Sequence, residues 1–336
     1  MYFFAFATLF PIPVIAAAAV WGGVWVLTAL AVMTALVAGL DHLVRRTSPA
    51  LPDQEFPVAN ALSVILALAH FALLGAVVWG LAQPQLSLLG KVGVWYAAGL
   101  YFGQVSNANA HELIHKSGRI LHRLGMWVYI SLAFGHHTSA HVLVHHRHVA
   151  TAQDPNSARQ GEGFYRYAAR AWRGSFVAGY TAEAARLSRV DRGILHNPYL
   201  LYLGGAALML GIAIALGGWQ GAAAYICVAG LAQVQLLLSD YVQHYGLTRA
   251  IGQNGKPEPV GDRHSWNSPH WYSSALMLNA PRHSDHHAHP GRAFPALTLP
   301  ANGPTLPRAI PVMATVALVP PLWRRVMDPR VARWSA

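Results

Sequence analysis

The sequence predicts an all-α integral membrane protein, with six transmembrane helices carrying a histidine-rich cap at their cytoplasmic ends. Three observations predict it. The 336 residues are 54% hydrophobic and only 11% charged, whereas soluble domains carry about a quarter charged residues. Apolar runs close to the roughly 20 residues that a spanning helix needs recur along the chain. Lys and Arg gather in alternate connecting segments, as the excess of positive charge on cytoplasmic loops requires.

Taken in order, the expected spans are 2–20, 24–40, 60–81, 92–110, 198–216 and 222–242. Trp21-Gly22-Gly23 forms a tight hairpin between the first two, and Gly217-Gly218-Trp219-Gln220-Gly221 joins the last two. Trp21, Trp79, Trp95 and Trp219 fall near run ends, where interfacial rings are expected. Gly204, Gly205 and Gly211 let helices approach closely. The opening residues lack a basic region and a small-residue cleavage pattern, so they read as a retained helix and not a signal peptide. Two further apolar stretches are not expected to span. The short 120–134 segment lies between histidine clusters and reads as a helix dipping into the protein or the interface. Segment 309–323 contains Pro311, Pro320 and Pro321 and reads as peripheral. Residues 1–336 then form one membrane domain, with insertions 111–197 and 243–336.

Orientation follows from the 24 Lys and Arg residues. Arg45 and Arg46, the 111–197 insertion and the tail hold all but Lys91, so both termini inside places 23 of the 24 on the cytoplasmic side. This topology also explains the net charge of +11; no basic run interleaved with aromatics suggests nucleic acid. The single cysteine, Cys227, excludes an intramolecular disulfide, a cysteine-rich zinc site and a protein-held iron–sulfur cluster.

Nineteen histidines stand against thirteen acidic residues, and they cluster. His111 and His115 follow the fourth run; His141, His145 and His146 lie in the long insertion; His244 follows the sixth run; His283, His286 and His287 lie in the tail. Residues three or four apart share a helix face, so His111/His115, His141/His145, His283/His286 and His283/His287 can each converge on one metal ion. Adjacent pairs, His145-His146 and His286-His287, point about 100° apart on a helix. Each can serve two neighbouring ions, which favours a dinuclear centre. His137 also stands four residues before His141, and spacing does not choose between it and His146. His42, His70, His122 and His196 read as ordinary hydrogen-bonded histidines; His136, His148, His264, His270 and His289 have no independent claim.

Imidazole suits zinc, copper, nickel and iron. Neutral ligands leave a two-metal site strongly cationic, so nearby carboxylates are expected to offset charge and orient the rings. Glu112, Asp154, Asp240 and Asp285 are the candidates. Glu112 reads equally well as an exposed helix residue, and Asp154 before Pro155 as a turn former.

At these residues the chain resembles the membrane alkane 1-monooxygenase (AlkB-type) family of nonhaem di-iron hydroxylases, related to membrane fatty acid desaturases and xylene monooxygenases. His111–Lys116 fits the box HE-x-x-HK, and His141–His146 fits H-x-x-x-HH. Val149-Ala150-Thr151 with Asp154-Pro155, the HYG motif at His244, His264–Ser268 and Arg282–Ala288 continue the match over most of the chain. The resemblance implies nine metal ligands: His111, His115, His141, His145, His146, His244, His283, His286 and His287. It thereby selects His146 over His137. It also implies two iron ions, O2 as co-substrate, rubredoxin as electron donor, and a multi-pass setting in the bacterial inner membrane with the metal site cytoplasmic. With one cysteine the chain cannot form a rubredoxin's four-thiolate site, so the donor is a separate protein. Arg166, Arg170 and Arg173 offer an acidic donor a docking surface, or simply mark topology. Ala140, Val144 and Gln243 depart from the family's usual Glu, Gly and Glu, and Ala280-Pro281 from its Leu-Gln.

The implied reaction is hydroxylation of an unactivated C–H bond, a terminal methyl of an alkane or alkyl chain. Two rivals make different demands. An acyl-chain desaturase or hydroxylase of the same superfamily predicts head-group contacts and a desaturated product. A membrane metal transporter expects ionisable ligands near the bilayer midplane, and His70 is the one histidine deep within an expected span.

Overall fold

A computed structural model describes residues 1–44 and 57–334. The described residues are helical, with two isolated bridges and no strand. Arg45 and Arg46 fall outside them. Four helices are long and apolar enough to cross a membrane: α1 (Tyr2–Trp21), α2 (Val24–Leu43), α3 (Val58–Ala82) and α8 (Tyr199–His244). Their apolar side chains face outward in number, Leu68, Leu200, Leu203 and Trp219 among them. Only 17% of the most apolar stretch of α8 is buried. A helix that turns hydrophobic residues outward while bonding its own backbone fits a lipid solvent.

The α8 helix holds both runs expected at 198–216 and 222–242 and bends between them. Gly218 has φ +60°, a left-handed conformation that favours glycine, and a Cβ on Gly217 would lie 2.3 Å from the Ala82 Cβ. The expected fourth span belongs to a longer helix, α4 (88–114), interrupted by a π-turn at Phe102–Ser106. Gln104, Asn107 and Asn109 make its second half more polar. α8 packs against α3 and α4, while α5 (Arg119–Ser131) lies against the end of α4. His70, buried in α3, bonds Ser106 at 2.9 Å and Ser131 at 2.7 Å, tying α3 to α4 and α5. It is a satisfied core histidine.

Beyond the bundle come α6 (137–148), α7 (Phe164–Ser188), α9 (Trp271–Leu276) and α10 (His283–Ala288). The segment expected to be peripheral and not spanning forms two short helices, α11 (Ile310–Ala317) and α12 (Pro320–Val331), which are too short to span but more deeply packed than that expectation implies. Trp323, Met327 and Val331 are fully buried, with the Trp323 ring 5.1 Å from Tyr241 and 5.3 Å from Tyr245. Pro320 and Pro321 start a helix, where a missing N–H is harmless, and that helix completes the core around the end of α8.

Candidate metal centre

Four stretches of chain deliver nine imidazoles to one place. α4 ends on His111 and His115, one turn apart, and α8 ends on His244. α6 carries His141, His145 and His146, and α10 carries His283, His286 and His287. The rings sort into two groups: His111, His115, His141, His146 and His286 in one; His145, His244, His283 and His287 in the other. Within each group one ring nitrogen per residue lies within 4.8 Å of all the others. The groups adjoin, with the His146 and His287 ring centroids 4.6 Å apart.

The expected pairing of His141 with His145 on one ion is not what the backbone produces. Residues His141–His145 form a π-turn. One extra residue in the turn brings positions five apart onto one face, so His141 and His146 meet with Nε2 atoms 2.9 Å apart. His145 is thereby turned to the second group, beside His244 at 4.7 Å between centroids. The adjacent pairs do divide between groups: His145 from His146, and His286 from His287.

The nitrogen geometry calls for cations. His111 and His141 Nε2 are 2.7 Å apart, His286 and His146 3.1 Å, His283 and His244 3.0 Å, His287 and His283 3.1 Å. A neutral imidazole has one N–H and one lone pair, so converging Nε2 atoms cannot all satisfy one another. His115 Nε2 and His145 Nε2 are buried with no hydrogen-bond partner. Burial, then repulsion among neighbouring rings, holds His111, His141, His146, His286 and His287 well below the ordinary histidine pKa. Burial heads the causes that lower His115 to about 4 and His283 to about 3. Rings kept neutral, with lone pairs facing a common point, fit metal ions bound in two nitrogen-only sets.

Of the four carboxylates, one touches a cluster ring. Buried Asp154 faces His145 Nδ1 at 2.9 Å through Oδ2, which also accepts from Ser157 Oγ at 2.7 Å. Its Oδ1 accepts from the Asn156 amide at 3.0 Å, so it forms the turn and orients the ring as well. Burial opposes charge on His145, yet the Asp154 carboxylate raises its pKa overall. Asp240 accepts from Asn156 Nδ2 at 2.6 Å. Asp285 binds His289, Arg292 and the Thr298 amide, and Glu112 pairs with Lys116. Burial raises the Glu112 pKa against that lysine.

Braces that spacing did not reveal hold the helices in register. Asn267 takes Ser284 from both sides: its Nδ2 donates to Ser284 Oγ at 2.8 Å and its Oδ1 accepts from the Ser284 amide at 3.0 Å. This clamps segment 264–268 to α10, and Trp266 Nε1 donates to the Tyr245 carbonyl at 2.8 Å. Gln243 Nε2 donates to the Ala280 carbonyl at 3.2 Å, linking the end of α8 to the approach to His283. A glutamate there would have no proton to donate when ionised. Ala140 is buried where a Cβ on Gly179 of α7 would come within 3.1 Å, and Val144 is buried in the π-turn. Arg170 is bound to Glu162 and to the Pro155 and Ser157 carbonyls, whereas Arg166 and Arg173 are exposed. His137 is buried, with its ring centroid 5.0 Å from that of His141, outside both groups. His122 donates to the Ile114 carbonyl, His136 contacts Ser175, His264 Glu258 and His270 Ser268.

Beside the rings lies a cavity of about 70 Å³, bounded by His111, His141 and His283 together with Ala108, Leu236 and Met277. It adjoins a larger one of about 970 Å³ between α2, α4, α8 and α11, whose wall is mostly apolar.

Comparison with known proteins shows the family. The fatty acid desaturase family profile matches residues 86–313. Alkane 1-monooxygenase 1 of Pseudomonas aeruginosa is 34% identical over 88% of this chain and 80% of its own length. Alkane 1-monooxygenase 2 of the same organism is 33% identical over 93% and 85% respectively. The xylene/toluene monooxygenase hydroxylase component of Pseudomonas putida is 24% identical over 94% and 85%. An apolar helical bundle ending in two histidine groups, and relatives this similar over nearly the whole chain, identify it as an integral membrane, metal-binding member of the alkane 1-monooxygenase family.

Proposed function

We propose that this protein uses O2 to hydroxylate an unactivated C–H bond, the terminal methyl of an alkane or alkyl chain, at two iron ions held by the nine histidines. The observation that carries the reading is the placing of two adjoining nitrogen-only groups at the inner end of an apolar cavity. The family membership supports it. One domain with six spans and a cytoplasmic cap is the topology that the Lys and Arg distribution favours. Residues 92–110, within the helix 88–114, would supply the sixth crossing.

His111, His115, His141, His146 and His286 would hold one iron, and His145, His244, His283 and His287 the other. Bound iron would supply the oxidation, with one oxygen atom entering the alcohol and the other leaving as water. Two electrons and two protons are needed; a separate rubredoxin is the electron donor we propose, and the protons come from solvent. The chain itself binds and orients. A saturated chain offers no polar handle, so affinity rests on burial at about 0.8 kcal/mol per methylene. Met33, Val37, Leu100, Leu238 and Val312 provide the apolar wall. His145 Nδ1 is fixed on Asp154 and His283 Nδ1 on the Ala280 carbonyl, which leaves each Nε2 free for a metal.

The fatty acid desaturase match keeps an acyl-chain reaction as the rival reading. Expression with a rubredoxin and its reductase, fed alkanes, alkylaromatics and fatty acyl esters, separates the two. Terminal alcohols are expected; desaturated acyl chains with no hydrocarbon oxidation would favour the rival.

A further inference from the structure

The two cavities share four lining residues: Gln104, Gln235, Pro311 and Ala314. Two glutamines from facing helices, with Pro311 and Ala314 of α11, therefore stand where the outer chamber gives way to the histidines. Gln104 lies in the π-turn of α4 and is 8% exposed. Its neighbour Gly103 lets Gln235 approach: a Cβ there would lie 2.3 Å from the Gln235 Cβ and 2.5 Å from its Cγ. The helices thus close on each other at the boundary because one position lacks a side chain. The chamber beyond holds about 70 Å³, room on the order of five water-sized groups at roughly 10–15 Å³ each. That volume is small beside the roughly 150 Å³ of a cavity that holds benzene, and it suits the end of an unbranched chain.

We infer that Gln104 and Gln235 form a neck that passes only an unbranched chain end to the histidine side, and so set selectivity for the terminal carbon. The inference rests on the hydroxylase reading above. The body of the substrate stays in the outer chamber, where its methylenes are buried. Widening the neck lets the chain slide or bend further in and presents internal carbons. The chemistry at the metals is unchanged; the atom offered to it changes.

The test uses Gln104→Ala, Gln235→Ala and the double variant, each assayed for iron content and for product position from a linear alkane. Expected is wild-type iron content with the ratio of 2-alcohol to 1-alcohol raised roughly tenfold, the scale of a change in pocket fit. A second measurement needs neither metal nor turnover. In metal-free protein carrying Cys227→Ser, the inner-chamber substitution Ala108→Cys reports access through labelling by propyl or benzyl methanethiosulfonate. Expected is selective exclusion of the benzyl reagent by the native neck, and its admission once Gln235 is truncated. Unchanged product ratios and unchanged labelling in every variant would overturn the neck. If the wild-type protein oxygenates no hydrocarbon at all, the hydroxylase reading fails, while the labelling still reports on the neck.

Discussion

Replacing Asp154 by Asn keeps the outline of the side chain and removes its charge. In the native arrangement Oδ2 faces His145 Nδ1 at 2.9 Å and accepts from Ser157 Oγ at 2.7 Å, while Oδ1 accepts from the Asn156 amide at 3.0 Å. A carboxylate accepts at both oxygens; an amide has one acceptor and one donor group. Whichever way the substituted amide turns, an N–H faces another donor, and either the turn or the His145 ring loses its hold. Losing the group that orients a metal-bound histidine lowers metal affinity about 10–100-fold, which is roughly 1.4–2.7 kcal/mol. The loss should fall on one site only, because His145 belongs with His244, His283 and His287 and not with the five rings of the other group. Anaerobic titration of metal-free protein with ferrous iron, with chelator competition, reads the two affinities. One weakened and one unchanged site is expected. Equal weakening of both, or two unchanged sites, would refute the division of rings argued from the π-turn.

Three other outcomes follow from the same geometry. His244→Ala removes a fully buried ring whose Nε2 lies 3.0 Å from His283 Nε2; it should lose the iron of that group and hydrocarbon oxidation, and full iron with full turnover would remove His244 from the ligand set. Metal-free protein should lose thermal stability as pH falls from about 6.5 toward 4. His115 at about 4 and His283 at about 3 stay neutral when folded and take up protons when unfolded, so acid favours unfolding. His145, raised by Asp154, acts in the opposite sense and is outnumbered; a melting temperature that climbs on acidification would contradict the burial argument. Gln243→Glu, although it installs the residue usual in the resembling family, removes the donor to the Ala280 carbonyl and should cost roughly 1–3 kcal/mol, seen as a lower unfolding temperature in detergent.

The bundle is legible because lipid imposes a simple rule on sequence: long apolar runs, broken at points such as Gly217-Gly218. Where that rule stops applying, the reading weakens. Segment 309–323 carries three prolines and reads as peripheral, yet Trp323 fills the gap beside Tyr241 and Tyr245. Composition reports whether a helix can cross; it does not report which aromatic ring closes a core. The polar half of helix 88–114 shows the converse. Its Asn107 and Asn109 bond the Ala232 and Ser63 carbonyls within the bundle, contacts that no local pattern announces.

At the histidine cluster, the sequence tells which rings gather but not which of them share a group. Helical spacing assumes 3.6 residues per turn, and under that assumption His141 belongs with His145. A π-turn at those residues changes the repeat, so the five-residue step from His141 to His146 becomes the aligned one. Nothing in the residues themselves announces that local winding, which lies where α6 packs along α7. The same turn gives the box its economy. Consecutive histidines face different groups, and His145 is at the same time turned to the carboxylate that the Asp154-Pro155 turn presents. A variant that restored regular α-helical winding across 141–146 should keep every histidine and still bind metal poorly, because the imidazoles would be present and wrongly shared.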